Sequence, residues 1–186
     1  MAKSKNNVIT HGLSGRIGDL IVFRQRAGKT VVAMLPKTTS NASDTQKEHR
    51  RRFQQATFYA KAAIADPDTK AAYADSAKTG QTAYNVAVAD FFHAPDIESV
   101  DLSQYTGQPG DTILIRATDD FMVKEVKVTI TNADGSLVEK GDAAPDVGGY
   151  LWTYTATQVN DNLEGDKIEI AASDLPGNIT REEQSI

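Results

Sequence analysis

The sequence predicts an α+β protein, with an N-terminal β-hairpin and about three α-helices followed by an all-β sandwich. Three observations predict it. Two β-rich runs near the start flank a short turn containing Gly28. Apolar residues then recur at helical spacing as far as Phe92. From Asp111 the pattern changes to period two, in short runs separated by Gly, Asn, Asp and Pro.

Residues 8–18 read as a glycine-spaced loop, Gly12-Leu-Ser-Gly15-Arg-Ile-Gly18. The hairpin spans residues 19–35, from Asp19-Leu-Ile-Val-Phe-Arg-Gln25 through the Gly28 turn to Thr30-Val-Val-Ala-Met-Leu35. Pro36 has no N–H to donate and is expected to end the second strand. A lone hairpin is marginal in water, so it needs cover from the helices or from another chain. After the polar stretch 37–45, Ser43 and Gln46 have the spacing of a capping box. Phe53, Ala56, Thr57, Ala60, Ala63 and Ile64 then share one helical face. Asp66-Pro67 opens a second helix, with proline at its first position. A third helix is expected from Gln81 to Phe92, stopped by Pro95. Residues 96–111 read as an extended connector. Strands follow at 112–117, 123–131, 136–139, 150–156 and 167–172, with a last short one after the turn at Asp174–Asn178. The domains are therefore expected at 1–95 and 96–186.

The chain has 186 residues, 40% of them hydrophobic, which suffices for one large domain or two small ones, each with a core. There is no cysteine, so disulfides and thiolate metal sites are excluded. The net charge of −5 conceals an asymmetry: residues 1–60 hold 11 Lys/Arg against 3 Asp/Glu, and the remainder 9 against 22. The front is thus +8 and the rest −13, so the front can meet an anionic partner or the back of another copy. The basic start, Met1–Asn7, is not followed by an apolar stretch long enough for a signal peptide or a membrane span. The expected location is the cytoplasm on synthesis, with release as part of an extracellular particle as a route that needs no signal peptide.

Ile115-Arg-Ala-Thr-Asp-Asp120, the Val126/Val128/Ile130 strand ending at Asp134-Gly135, Trp152-Thr-Tyr154 and Ala172-Ser-Asp-Leu-Pro-Gly-Asn178 resemble bacterial immunoglobulin-like domains, over about residues 96–186. Gly12-Leu-Ser-Gly15 and the hairpin Phe23-Arg-Gln-Arg-Ala-Gly-Lys29 resemble uncharacterised bacterial and phage-like proteins that join such a front to an immunoglobulin-like tail. The resemblance implies an architecture and a structural, particle-associated role. It lends no activity.

No motif for catalysis is readable. Gly28-Lys29-Thr30 ends like a phosphate-binding loop, but Phe23 stands where the loop needs glycine, and the context is strand–turn–strand. Glycines 12, 15 and 18 do not join a strand to a helix and are read as turns. His11, His49 and His93 lack metal-ligand spacing. Asp119, Asp120, Asp174 and Asn178 carry oxygen ligands of the kind calcium takes. Such residues more often cap turns by bonding their own backbone, and that reading is preferred. Trp152 is assigned to the core. Phe23 and Phe53 also read as core residues, which leaves the basic Arg24, Arg26, Lys29 and Arg50–Arg52 without a stacking platform for nucleic acid.

The expectation is a non-enzymatic structural or adaptor subunit of a larger bacterial or phage-like particle, without cofactor. Its partners would be copies of itself or other particle subunits. Ile21, Phe23, Arg24, Arg26, Lys29 and Val32 are the candidate contact residues. An immunoglobulin-like module that binds a surface protein or glycan is the alternative, and a basic nucleic-acid-associated protein the third reading.

Overall fold

The computed structural model describes residues 2–4, 9–26, 28–35 and 42–186. Pro36, the turn residue at 27 and most of the 37–45 stretch lie outside them. Among the described residues there are three helices and three antiparallel sheets, a mixed but β-rich fold. No helix there is long and apolar enough to cross a membrane. The contacts divide the chain into one compact unit of Met1–Gln55 with Ala77–Thr82, and another of Ala56–Ser76 with Ala83–Ile186. This division differs from the expected one at 95/96, because the second and third helices cluster with the strands that follow them.

The first unit holds β1 (Ala2–Ser4), β2 (Gly15–Ile17), β3 (Ile21–Arg26) and β4 (Lys29–Met34). They form one sheet in the order β1-β4-β3-β2. The expected hairpin is its centre: Arg26 pairs with Lys29 across the turn, where Gly28 takes φ +71°, a value glycine adopts without strain.

Helix α1 (Asp44–Ala63) opens on the expected capping box. Gln46 N–H donates to Ser43 Oγ at 3.3 Å, and Ser43 N–H donates to Gln46 Oε1 at 3.2 Å. Ala56 and Ala60 are its only buried residues. Phe53 is not a core residue: it is 55% exposed, because no residue of 44–55 is buried. Helix α2 (Pro67–Asp75) is capped by Asp66, whose Oδ2 accepts from Thr69 N–H at 2.8 Å, with Pro67 in the first turn. Helix α3 (Ala83–Asp90) is shorter at both ends than its pattern suggested.

The second unit adds β5 (Asp96–Asp101), β6 (Thr112–Thr118), β7 (Val123–Thr131), β8 (Leu137–Asp142), β9 (Ala144–Pro145), β10 (Leu151–Thr155), β11 (Lys167–Asp174) and β12 (Ile179–Ser185). Two sheets, β5-β6-β10-β9 and β12-β11-β7-β8, share one core in a sandwich-like arrangement. The period-two pattern does what it must: Ile113, Ile115 and Ala117 point inward from β6, Val126, Val128 and Ile130 from β7, and Ile168, Ile170 and Ala172 from β11. Trp152 and Tyr154 complete the core from β10.

Part of the expected connector is a strand. Its register with β6 slips between Ile97 and Ser99, a β-bulge that puts Ile97 opposite Ala117 and Val100 opposite Ile115. The extra residue breaks the alternation, so Ile97 and Val100 both reach the core at a spacing of three. Gly107, just after, has φ +89°, and a Cβ there would lie 2.3 Å from the Asn160 carbonyl oxygen. Asn160 N–H also donates to Gly107 O at 2.9 Å. Gly107→Ala is therefore expected to cost about 2–5 kcal/mol, from the left-handed backbone and the clash together. Urea unfolding measures it, and a loss under about 0.5 kcal/mol, the range of an ordinary surface substitution, would contradict this account of the turn.

Candidate functional site

Two places gather the residues singled out in the sequence, one in each unit. The first is the N-terminal sheet. Its register pairs Ile17 with Ile21, Phe23 with Val32 and Ile21 with Met34, so these five side chains share one face. The opposite face carries Arg16, Arg24, Arg26 and Lys29 beside Val22 and Val31. The six candidate contact residues thus separate by side: Ile21, Phe23 and Val32 on the apolar face, Arg24, Arg26 and Lys29 on the basic one. Phe23 and Val31 are buried, but Ile17 is 56% and Met34 77% exposed. Leu20, just before β3, is exposed as well, but it alternates with Ile21 and so falls on the basic side. This sheet leaves apolar surface in water on its apolar side.

The second place is built at one end of the sandwich-like unit from three elements. Asp90 is the last residue of α3, Asp119 follows β6, and Asp174 ends β11. Each offers a carboxylate oxygen, and these three oxygens lie within 4.8 Å of one another. Asp90 and Asp174 are almost wholly buried, at 2% and 1% exposure. Tyr73 Oη donates to Asp90 Oδ2 at 2.5 Å, and Tyr73 in turn contacts Tyr59 Oη at 2.7 Å and stacks on Phe121 with ring centroids 4.1 Å apart. Burial pushes the Asp90 carboxyl up to about 7; the Tyr73 hydrogen bond opposes this, and the charges of Asp119, Asp174 and Asp120 reinforce it.

The four oxygen-bearing candidates meet different fates. Asp174 Oδ1 accepts from the N–H groups of Gly177 and Asn178 at 2.8 and 2.6 Å, closing the turn as an aspartate does. Asp119 Oδ2 accepts from Met122 N–H at 3.0 Å in the same way. Asn178 serves as a donor: its Nδ2 lies 2.6 Å from Asp174 Oδ2 and 3.0 Å from the carbonyl of His93. That orientation places its amide among acceptors and ties the turn to the chain leaving α3. Asp120 pairs with His93, Nδ1 to Oδ2 at 2.5 Å. Sequence reasoning missed Asp90. It lies in a helix, far along the chain from the other two, and only the fold brings it near.

Turn bonding does not use every oxygen. Asp90 Oδ1 and Asp119 Oδ1 are buried and have no hydrogen-bond partner. A neighbouring open groove of about 680 Å³ runs past Phe121, Met122, Val147, Tyr150 and Trp152. Trp152 itself is only 4% exposed, and its Nε1–H donates to Gly149 O at 3.2 Å, so it belongs to the core as expected.

No family model matches the sequence, and no curated protein matches it. Among solved structures, the chain is similar to the CopC protein of Methylosinus trichosporium OB3b, with 14% identity, a TM-score of 0.36, and coverage of 48% of this chain and 87% of that one. It is also similar to an engineered protein, with 16% identity and a TM-score of 0.33, over 58% of this chain and 30% of that one. Likenesses this weak carry no functional argument.

Proposed function

We propose that the chain is a non-enzymatic structural or adaptor subunit that assembles, through its N-terminal sheet, with copies of itself in a larger bacterial or phage-like particle. The observation that carries this reading is the division of that sheet into an apolar and a basic side. Ile17 and Met34 stay exposed beside Ile21, Phe23 and Val32. Exposed apolar residues sharing one sheet face are the kind of surface interaction sites use. Charge argues for a second copy as the occupant, since residues 1–60 sum to +8 and the rest of each chain to −13.

The sandwich-like unit reads best as an immunoglobulin-like tail. The order β5-β6-β10-β9 against β12-β11-β7 follows the two-sheet order of that fold, with β8 added at one edge. Its tryptophan stands on β10 instead of the third strand, and the fold's disulfide has no counterpart. A second reading, a binding module, is favoured by the groove lined by Met122, Val147 and Tyr150, all three exposed. Ile21→Asp and Val32→Asp separate the two readings. Each is expected to abolish the oligomer while circular dichroism stays near that of the wild type. An oligomer unchanged by both, in folded protein, would remove the sheet from assembly.

A further inference from the structure

We propose that Asp90, Asp119 and Asp174 form a divalent-cation site, with calcium the ion that fits, which clamps the end of α3 to the β6–β7 connection and the β11–β12 turn. Two independent observations carry it. The first is convergence: three carboxylate oxygens from three separate elements lie within 4.8 Å of one another. Two oxygens on one calcium ion are never more than about 5 Å apart, given Ca–O distances of about 2.3–2.6 Å, so the cluster is close enough for one ion to meet all three. Calcium also accepts irregular, carboxylate-rich shells that magnesium, which demands a near-ideal octahedron, does not. The second is the unused oxygen of Asp90. Its side chain is 2% exposed, and Oδ1 has no hydrogen-bond partner. A buried carboxylate oxygen without a partner is costly and uncommon. Asp119 Oδ1 is in the same state. The remaining oxygens are fixed by Tyr73, by backbone N–H groups and by the Asn178 amide, which orients the carboxylates and leaves the two free oxygens for a ligand.

The donor set is all oxygen and anionic, which suits a hard cation and not zinc or copper. Three carboxylates leave part of a calcium shell to water. Asp119 is half-buried and borders an open groove of about 420 Å³ with His93, Thr118 and Asp120, which gives water and ion a way in. Asp119, Asp174 and Asp120 all bring negative charge close to the Asp90 carboxylate, so a cation relieves a repulsion the fold otherwise retains. The alternative tenant is a proton on Asp90.

The experiment uses the full chain. Melting temperature is measured in chelator, in millimolar calcium and in millimolar magnesium, and terbium luminescence is excited through the tyrosines, Tyr73 lying against Asp90. Calcium is expected to raise the melting temperature by about 5–10 °C at a hundredfold excess over Kd. Magnesium is expected to do less, and terbium emission to be displaced by calcium. Asp119→Asn should abolish both signals in a folded protein, and Asp120→Asn, beside the cluster but outside it, should keep them. Equal melting temperatures in chelator and calcium, with no sensitised terbium, would leave the proton as tenant and overturn the proposal. Signals that survive Asp119→Asn would place the cation elsewhere and overturn it equally.

Discussion

Trp152→Ala is expected to lower the unfolding free energy by about 3–5 kcal/mol, the cost of removing a large aromatic from a packed interior. The ring is 4% exposed and belongs to the cluster formed with Ile113, Ile115, Val126, Ile168 and Ile170. Its Nε1–H spends its one donor on Gly149 O at 3.2 Å, so truncation also leaves that carbonyl without its partner. Urea unfolding followed by circular dichroism reads the change directly. Stability within about 1 kcal/mol of wild type, well below the range for core aromatics, would mean that Trp152 contributes to binding at the groove and not to the core.

The second large effect is a pH dependence centred on Asp90. In chelator-treated protein its carboxyl is held up to about 7, above all by burial. The unfolded value is about 3.9. The folded state therefore holds the proton more tightly than the unfolded state. The associated stability is fully present below about pH 4 and disappears as pH rises through about 7. Between pH 5 and pH 8 the loss comes to about 2–3 kcal/mol. Asp90→Asn, which cannot ionise, should flatten that slope. Calcium should flatten it too, because the ion takes the deprotonated form. A wild-type slope retained in Asp90→Asn would assign the pH dependence to other groups.

Much of the fold was legible because local signals and tertiary demands agree. The Gly28 turn fixes the hairpin register, the Ser43–Gln46 box starts α1, Pro67 starts α2, and the alternation around Val126 and Ile168 marks the inward faces of β7 and β11. What was hidden depended on exceptions to periodicity or on distance along the chain. The bulge at Glu98 disguised β5 as a connector. Phe53 has the helical spacing of a core residue, yet the first half of α1 buries nothing. Asp119 and Asp174 could be suspected from their loops. Asp90 could not, because nothing local distinguishes an aspartate at a helix end from one in solvent. Asn178 looked like an oxygen ligand, and only its surrounding acceptors show that its nitrogen does the work.

The proposed assembly through the divided sheet would draw on the charge asymmetry of the chain. In that proposal, a basic side carrying Arg24, Arg26 and Lys29 and an apolar side would give the contact orientation and driving force: charge would supply the first and apolar burial the second. The measurement that tests this most directly is the native mass of the wild-type protein in solution, followed over concentration and at low and high salt. The account predicts a defined oligomer whose contacts weaken as salt screens the attraction between front and back. A monomer at high concentration and low salt, with its apolar sheet face still open to water, would contradict it.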